Sequence, residues 1–193
     1  MSSKPQRIHI MGATASGKTT LAQQIAELLD IPSYDLDIVA YEGGFGRKRT
    51  LDERMVDLQI IIDQPAWVTE GAYLWWIDDL LRSADAIVWL DLPWYVSMPR
   101  IFTRHFKLSW AGTNRHPGIL KLLRFFVAYI PFYTEKSPRK PKSLDDDTAL
   151  NRVGLARYLQ PYRAKVVYCR SVEDVNAFRK QLGRESDRAR RWR

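Results

Sequence analysis

The feature that most constrains this chain is a glycine-bounded turn between an apolar run and a helix-patterned run. Arg7-Ile8-His9-Ile10-Met11 leads into Gly12; Ala13, Thr14, Ala15 and Ser16 intervene before Gly17-Lys18-Thr19. After Thr20, the residues Leu21, Ala22, Ile25, Leu28 and Leu29 recur at helical spacing. This is G-x-x-x-x-G-K-[ST] between a strand and a helix, a context in which successive backbone N–H groups curl around an anion. The glycines supply backbone angles that other residues adopt only under strain. The helix adds unpaired N–H groups and the positive end of its dipole. Phosphate is therefore expected along Gly12, Ala13, Thr14, Ala15, Ser16, Gly17, Lys18, Thr19 and Thr20. Lys18 is expected to reach the β- and γ-phosphates of a nucleotide, and the Thr19 hydroxyl to ligate Mg²⁺.

Four further strand-like runs follow, each separated by helical pattern: Ser33-Tyr34-Asp35, Trp67-Val68-Thr69, Asp85 to Asp91 and Lys165 to Cys169. Five strands alternating with helices predict an α/β fold with a doubly wound parallel sheet, whose ligands bind beyond the carboxyl ends of the strands. Acids stand at several of those ends. Asp37 is placed to accept a proton from an acceptor hydroxyl or to help hold Mg²⁺, although Asp35 and Asp37 also suit a helix N-terminus. Glu70 ends the third strand and is placed to orient a Mg²⁺-bound water. Asp91, ending the fourth, is its rival. After that strand Arg100 and Arg104 lie four apart and project from one helical face, as a pair neutralising a transferring phosphoryl group must.

The remaining pattern predicts helices with identifiable starts. Thr50 and Glu53 form a capping box for a helix running to Asp63. Tyr73 to Arg82 reads as one Trp-rich helix. Pro93 leads into another, capped at Ser97 with Pro99 in its first turn. Gly118 to Ile130 reads as a helix with Leu120, Leu123, Phe126, Val127 and Ile130 as its apolar set, followed by a Pro/Lys/Ser-rich loop, Ser137 to Ser143. Asp145-Asp146-Asp147 is expected to cap a helix reaching Tyr162, and Ser171 with Asp174 to cap a closing helix through Leu182. Residues 1–183 are thus read as one domain with a basic lid insertion at about 97–147, and 184–193 as a basic, disordered tail.

Charge is divided along the chain. Residues 1–92 hold 8 Lys/Arg against 14 Asp/Glu, residues 93–143 hold 10 against 1, and residues 144–193 hold 12 against 7. The cations of the second half suit a triphosphate, a nucleic acid or an anionic membrane surface. The longest uncharged apolar run, Phe125 to Thr134, is too short to span a bilayer, so no transmembrane segment is expected. One cysteine, Cys169, leaves no internal disulfide. With no leader-like stretch at the N-terminus, a cytoplasmic location is expected.

Other phosphate-loop classes lack support. No suitably placed Asp-x-x-Gly or Asn-Lys-x-Asp element points to a GTPase, and no Leu-Ser-Gly-Gly-Gln is present. In the order and spacing of Arg7–Gly12, Gly17–Ala22, Ile31–Asp37, Trp67–Tyr73 and Asp85–Pro93, the chain resembles the adenylate-kinase-like phosphate-loop proteins often labelled DNA topology modulation proteins. That group lies within the nucleoside and nucleotide kinase superfamily. The resemblance implies a strand order of 2-3-1-4-5, ATP as donor, a lid after the fourth strand, and phosphate and Mg²⁺ binding by Gly12 to Thr20. It favours Glu70 over Asp91, and likens Asp37 to the acid ending strand two of several small-molecule kinases and Arg100 and Arg104 to lid arginines. The leading expectation is Mg²⁺- and ATP-dependent phosphoryl transfer to a small acceptor, a nucleoside, nucleotide or other hydroxyl metabolite. The alternative is an ATP-responsive nucleic-acid-associated regulator using segment 97–142 and the arginine tail.

Overall fold

The computed structural model describes residues 5–110, 120, 127, 130–144, 146 and 149–191; the side chains of 104–109 and 187–191 lie outside the description. Five parallel strands form one sheet: β1 (Arg7–Gly12), β2 (Ser33–Asp35), β3 (Trp67–Glu70), β4 (Ala86–Leu90) and β5 (Val166–Cys169). Their order is β2-β3-β1-β4-β5, as the resemblance implies. β1 is central, pairing Ile10 with Glu70 on one side and Gly12 with Leu90 on the other. Strands buried on both faces read as continuous apolar runs, and every residue of β3 and β4 is buried.

Helices cover both faces. On one, α1 (Lys18–Leu29) and α7 (Val172–Arg191) pack Leu21, Ile25, Phe178 and Leu182 against Ile8, Ile10, Val68 and Val88. On the other, α2 (Leu36–Ala40), α3 (Leu51–Ile62), α4 (Asp78–Ser83) and α6 (Arg152–Tyr158) bury Leu36, Leu58, Leu80 and Leu155 around Trp67, Ile87 and Trp89. α5 (Trp94–Trp110) leaves the end of β4.

Several starts and stops follow the local chemistry. Asp30 ends α1 in a left-handed conformation at φ 57. Thr50 and Glu53 form the capping box of α3. Ser171 and Asp174 exchange the same pair of bonds at α7.

Elsewhere distant contacts override the pattern. Tyr73 to Ile77 is irregular, and helix begins only at Asp78. Trp75 takes φ 65, and its N–H donates to the Tyr158 hydroxyl, 3.0 Å away and 83 residues on. Ser97 caps nothing. α5 starts directly after Pro93, where a missing N–H costs least, so Ser97 is buried within it and Pro99 falls in its interior. α6 is capped by Asn151, whose side chain accepts from Gly154 N at 2.6 Å, and not by the acidic run. The chain passes from α6 into a 3-10 stretch, Gln160–Lys165. α7 continues beyond Gly183 to Arg191, across the segment read as a tail; Gln181 and Glu185 hydrogen-bond along it and Ser186 is buried. Of the helix expected at Gly118 to Ile130, residues 118, 119, 121–126, 128 and 129 lie outside the described residues, while 120, 127 and 130 are helical.

One buried group makes the core pH-sensitive. His9, in the middle of β1, is fully buried, and its Nδ1 lies 2.8 Å from Thr69 Oγ1 while Nε2 has no partner among the described residues. Burial, and after it the Lys18 ammonium, holds its pKa down at about 3. The unfolded chain therefore takes up a proton below about pH 6.5 that the folded chain refuses, so this stability is complete above that pH and is lost as pH falls toward 3. Between pH 7 and 5 this group alone costs about 2 kcal/mol. Denaturant titrations at the two pH values should show His9→Gln losing less stability than wild type by about that amount.

Candidate active site

The site begins where β1 has no room for a side chain. A Cβ on Gly12 would stand 2.6 Å from the Leu90 carbonyl oxygen and 2.9 Å from Leu90 Cβ, at a φ of +154. The backbone then turns through Ala15 at φ 59 and Gly17 at φ 100, and Ser16 N donates to Ala13 O at 3.2 Å. Left-handed residues in such a turn direct neighbouring N–H groups into a shared concavity. Gly17 is also the N-cap of α1 and supplies no side-chain cap, so the first N–H groups of that helix are not capped from within it. Lys18 folds back across the loop and donates to the Ala13 carbonyl at 3.2 Å. Ser16 is 2% exposed, and its hydroxyl has no hydrogen-bond partner among the described residues. An orphaned hydroxyl facing a loop of this curvature fits a polar ligand.

Thr19 and Glu70 meet. The Thr19 hydroxyl donates to Glu70 Oε1 at 2.6 Å, bringing the first turn of α1 onto the end of β3. Glu70 is buried, and burial raises its pKa above the usual carboxylate range, opposed by the Thr19 hydrogen bond and the Lys18 ammonium. The Asp35 and Asp37 carboxylates also push it up, by smaller amounts. Asp35 and Glu70 are register partners across β2 and β3. Two hard oxygen donors, one hydroxyl and one carboxylate, beside a phosphate-shaped loop fit Mg²⁺.

The two acids after Tyr34 divide their duties. Asp35 is the N-cap of α2, its carboxylate accepting from Asp37 N at 2.8 Å, and its pKa is raised, chiefly by burial. Asp37 sits in the first turn of α2 and accepts from the Tyr73 hydroxyl at 2.7 Å. Tyr73 is itself held edge-on against Trp76 at 5.0 Å, and Trp76 lies under the guanidinium of the buried Arg54. A Cβ on Gly71 would press on Leu36 Cβ at 2.9 Å and on the Tyr73 ring at 3.0 Å, so glycine lets Tyr73 reach Asp37.

Asp91 is differently engaged. Its two carboxylate oxygens accept from Arg152 Nε at 2.6 Å and from the guanidinium NH2 nitrogen at 2.7 Å. Arg100 donates to the Ser16 carbonyl at 2.9 Å. It lines a cavity of about 340 Å³ with Gly17, Leu90, Val172 and Val175, on the β4–β5 side of the loop. Asp37 lies on the β2–β3 side. The Arg104 side chain lies outside the described residues.

Sequence reasoning missed Tyr73 and Arg152 as partners of the strand-end acids. Tyr73 stands three residues after Glu70 and Arg152 directly after an N-capping Asn, but nothing in either local pattern names an acid 36 or 61 residues away.

No protein-family model matches the chain, and a search of curated proteins finds no match. Among solved structures, a gluconokinase from Sinorhizobium meliloti is 19% identical with a TM-score of 0.50, covering 97% of this chain and 95% of its own. A shikimate kinase from Acinetobacter baumannii, in complex with shikimate, is 18% identical with a TM-score of 0.48, covering 92% and 90%. A shikimate kinase from Aquifex aeolicus is 23% identical with a TM-score of 0.38, covering 49% and 68%. The likeness to the gluconokinase extends over nearly the whole chain and is a likeness of fold.

The crowding at Gly12 sets a test. Gly12→Ala is expected to cost about 2 kcal/mol of stability and to weaken nucleotide binding. Gly183→Ala, in the interior of α7 with Leu28 at an ordinary 3.7 Å, is expected to raise the melting temperature instead. Thermal denaturation of both variants reads the difference directly.

Proposed function

We propose that the chain is a Mg²⁺- and ATP-dependent phosphotransferase that moves the γ-phosphoryl group of ATP to a hydroxyl of a small acceptor. The observation that carries this reading is the Thr19–Glu70 hydrogen bond, which ties the first turn of α1 after the glycine loop to the end of β3, with the Lys18 and Asp37 charges acting on the same carboxylate. An ordinary strand–turn–helix would not bury a carboxylate against the first turn of its helix.

The sheet suggests how the two substrates lie. The donor's phosphates follow the loop at the end of β1, and its nucleoside enters the cavity beside Arg100 on the β4–β5 side. The acceptor binds on the β2–β3 side, next to Asp37. Lys18 binds the β- and γ-phosphates. Thr19 and Glu70 are the residues that would hold Mg²⁺, Glu70 by way of a water, with Asp37 as a further candidate ligand; Asp91 is occupied by Arg152. When bound, the ion neutralises charge on the phosphates. Asp37 accepts the acceptor's hydroxyl proton as its oxygen bonds to the γ-phosphorus and the bond to the bridging oxygen breaks, releasing ADP. Tyr73 holds the carboxylate in place for that transfer. Arg100, freed from the Ser16 carbonyl, and Arg104 neutralise charge on the moving group. A fold shared with a gluconokinase is compatible with a small hydroxyl compound as acceptor, and nucleosides and nucleotides belong in the same screen.

ATP labelled in its γ-phosphate, followed into a panel of nucleosides, nucleotides and small hydroxyl compounds, tests the reading. Asp37→Asn should keep ATP affinity while lowering transfer by about 10²- to 10⁴-fold. Lys18→Ala should lose both ATP binding and turnover. Unchanged ATP affinity in Lys18→Ala, or undiminished transfer in Asp37→Asn, contradicts the assigned roles.

A further inference from the structure

The chain between β4 and α6 leaves and returns through residues that rest on the glycine-bounded loop. Going out, α5 sets the Arg100 guanidinium over the loop: a Cβ on Gly17 would stand 3.3 Å from the nitrogen that donates to the Ser16 carbonyl. From the same helix, Ile101 forms a small buried cluster with Ala13 of the loop. Coming back, the helical residues 130–134 bring Phe132 and Tyr133 against that cluster, beside Ala15 of the loop and Met98 of α5. The two rings stand edge to face, 5.0 Å apart. They are anchored from behind. The buried Asn151 amide donates to Glu135 at 2.6 Å and to the Ser137 carbonyl at 2.9 Å, and the same side chain caps α6.

The loop needs such support. Ala15 stands at φ 59, a conformation that persists in a residue with a Cβ only where its surroundings hold it. The bond from Ser16 N to Ala13 O closes the turn, and the apolar groups packed on Ala13 and Ile101 brace it from outside. We propose that Phe132 and Tyr133 are positioning residues, which keep the loop in the left-handed turn that receives the donor's phosphates. This rests on the phosphotransferase reading in taking the loop as the phosphate site. Without the two rings Ala15 relaxes toward ordinary backbone angles, and only a fraction of the molecules keeps the turn. The apparent affinity for phosphate falls with that fraction. A pair that only filled space would lower the melting temperature and leave the affinity of folded molecules unchanged.

The full chain, titrated in Mg²⁺ with two probes, separates these roles. Inorganic tripolyphosphate reads the loop, and adenosine reads the cavity beside Arg100. Phe132→Ala/Tyr133→Ala should lose about tenfold in tripolyphosphate affinity and bind adenosine as wild type does. Phe132→Leu/Tyr133→Leu keeps an apolar cover and should recover most of that loss. Ala15→Gly removes the strain, so in that background the two alanines should cost less affinity than they cost alone. All titrations are run below the melting transition of each variant; should the double-alanine variant not fold, Tyr133→Ala alone should show the same selective loss. The proposal is overturned if the alanine variant melts earlier yet binds tripolyphosphate undiminished, or if adenosine weakens as much as tripolyphosphate. It is equally overturned if Ala15→Gly leaves the cost of the alanines unchanged. Lys18→Ala keeps the two readings apart. If it abolishes tripolyphosphate binding while the alanine pair has no effect, the positioning role alone fails; if it too has no effect, the loop is not the phosphate site and both fail.

Discussion

Gly12 is pressed against the carbonyl of Leu90 with no space for a methyl group, and the rest of the site is positioned from that contact. It fixes where β1 stops, and β1 is the middle strand. The loop that follows must therefore curl at the centre of the sheet's carboxyl edge, with β3 on one side and β4 on the other. α1 leaves the loop so that Thr19, on its first turn, meets Glu70 at the end of β3. One close approach thus sets the distance between the glycine-bounded loop and a buried acid. Burial then raises the pKa of that acid, so it favours a positive neighbour more strongly than a solvated carboxylate does.

The two flanks of the loop differ in chemistry. Toward β2 lie Asp35, Asp37 and Tyr73; toward β5 lie Arg100 and a cavity walled by Leu90, Val172 and Val175. On the proposed reading the phosphoryl group crosses between them. α6 touches structures on both flanks. Its Arg152 grips Asp91 beside the exit of α5, and its Tyr158 donates to Asp78 while accepting from Trp75 in the loop that carries Tyr73. The chain that returns from the basic segment is therefore tied to the end of β4 at one terminus of α6 and to the neighbourhood of Asp37 at the other. Glu135 and Ser137 are joined to it through the buried Asn151 side chain.

What the sequence made legible was local. The glycine spacing, the Thr50–Glu53 box, the Ser171–Asp174 pair and the continuous apolar run of β4 each act within a few residues, and each has its counterpart in the fold. The approach of Thr19 to Glu70 follows from the strand ends of a doubly wound sheet coming together. Two of the misreadings share a cause, a partner far along the chain. Trp75 leaves helical geometry for a hydroxyl 83 residues distant, and Asp91 looked available because its arginine stands 61 residues on. Pro93 reads as leading into a helix capped at Ser97, but the helix starts at once after the proline and takes Ser97 into its buried interior. Residues 184–193 read as a tail because their apolar spacing ends, yet α7 runs on to Arg191 with Gly183 against Leu28.

The assignment of metal-side groups can be tested without knowing the acceptor. A crystal structure with Mg²⁺ and a non-hydrolysable ATP analogue would show whether the Thr19–Glu70 bond is the site in waiting. The account predicts that Thr19 Oγ1 turns from Glu70 to the ion, that Glu70 contacts a water on it, and that Asp91 stays paired with Arg152. An ion held by Asp91, or an intact Thr19–Glu70 bond with the triphosphate outside the loop, would contradict it.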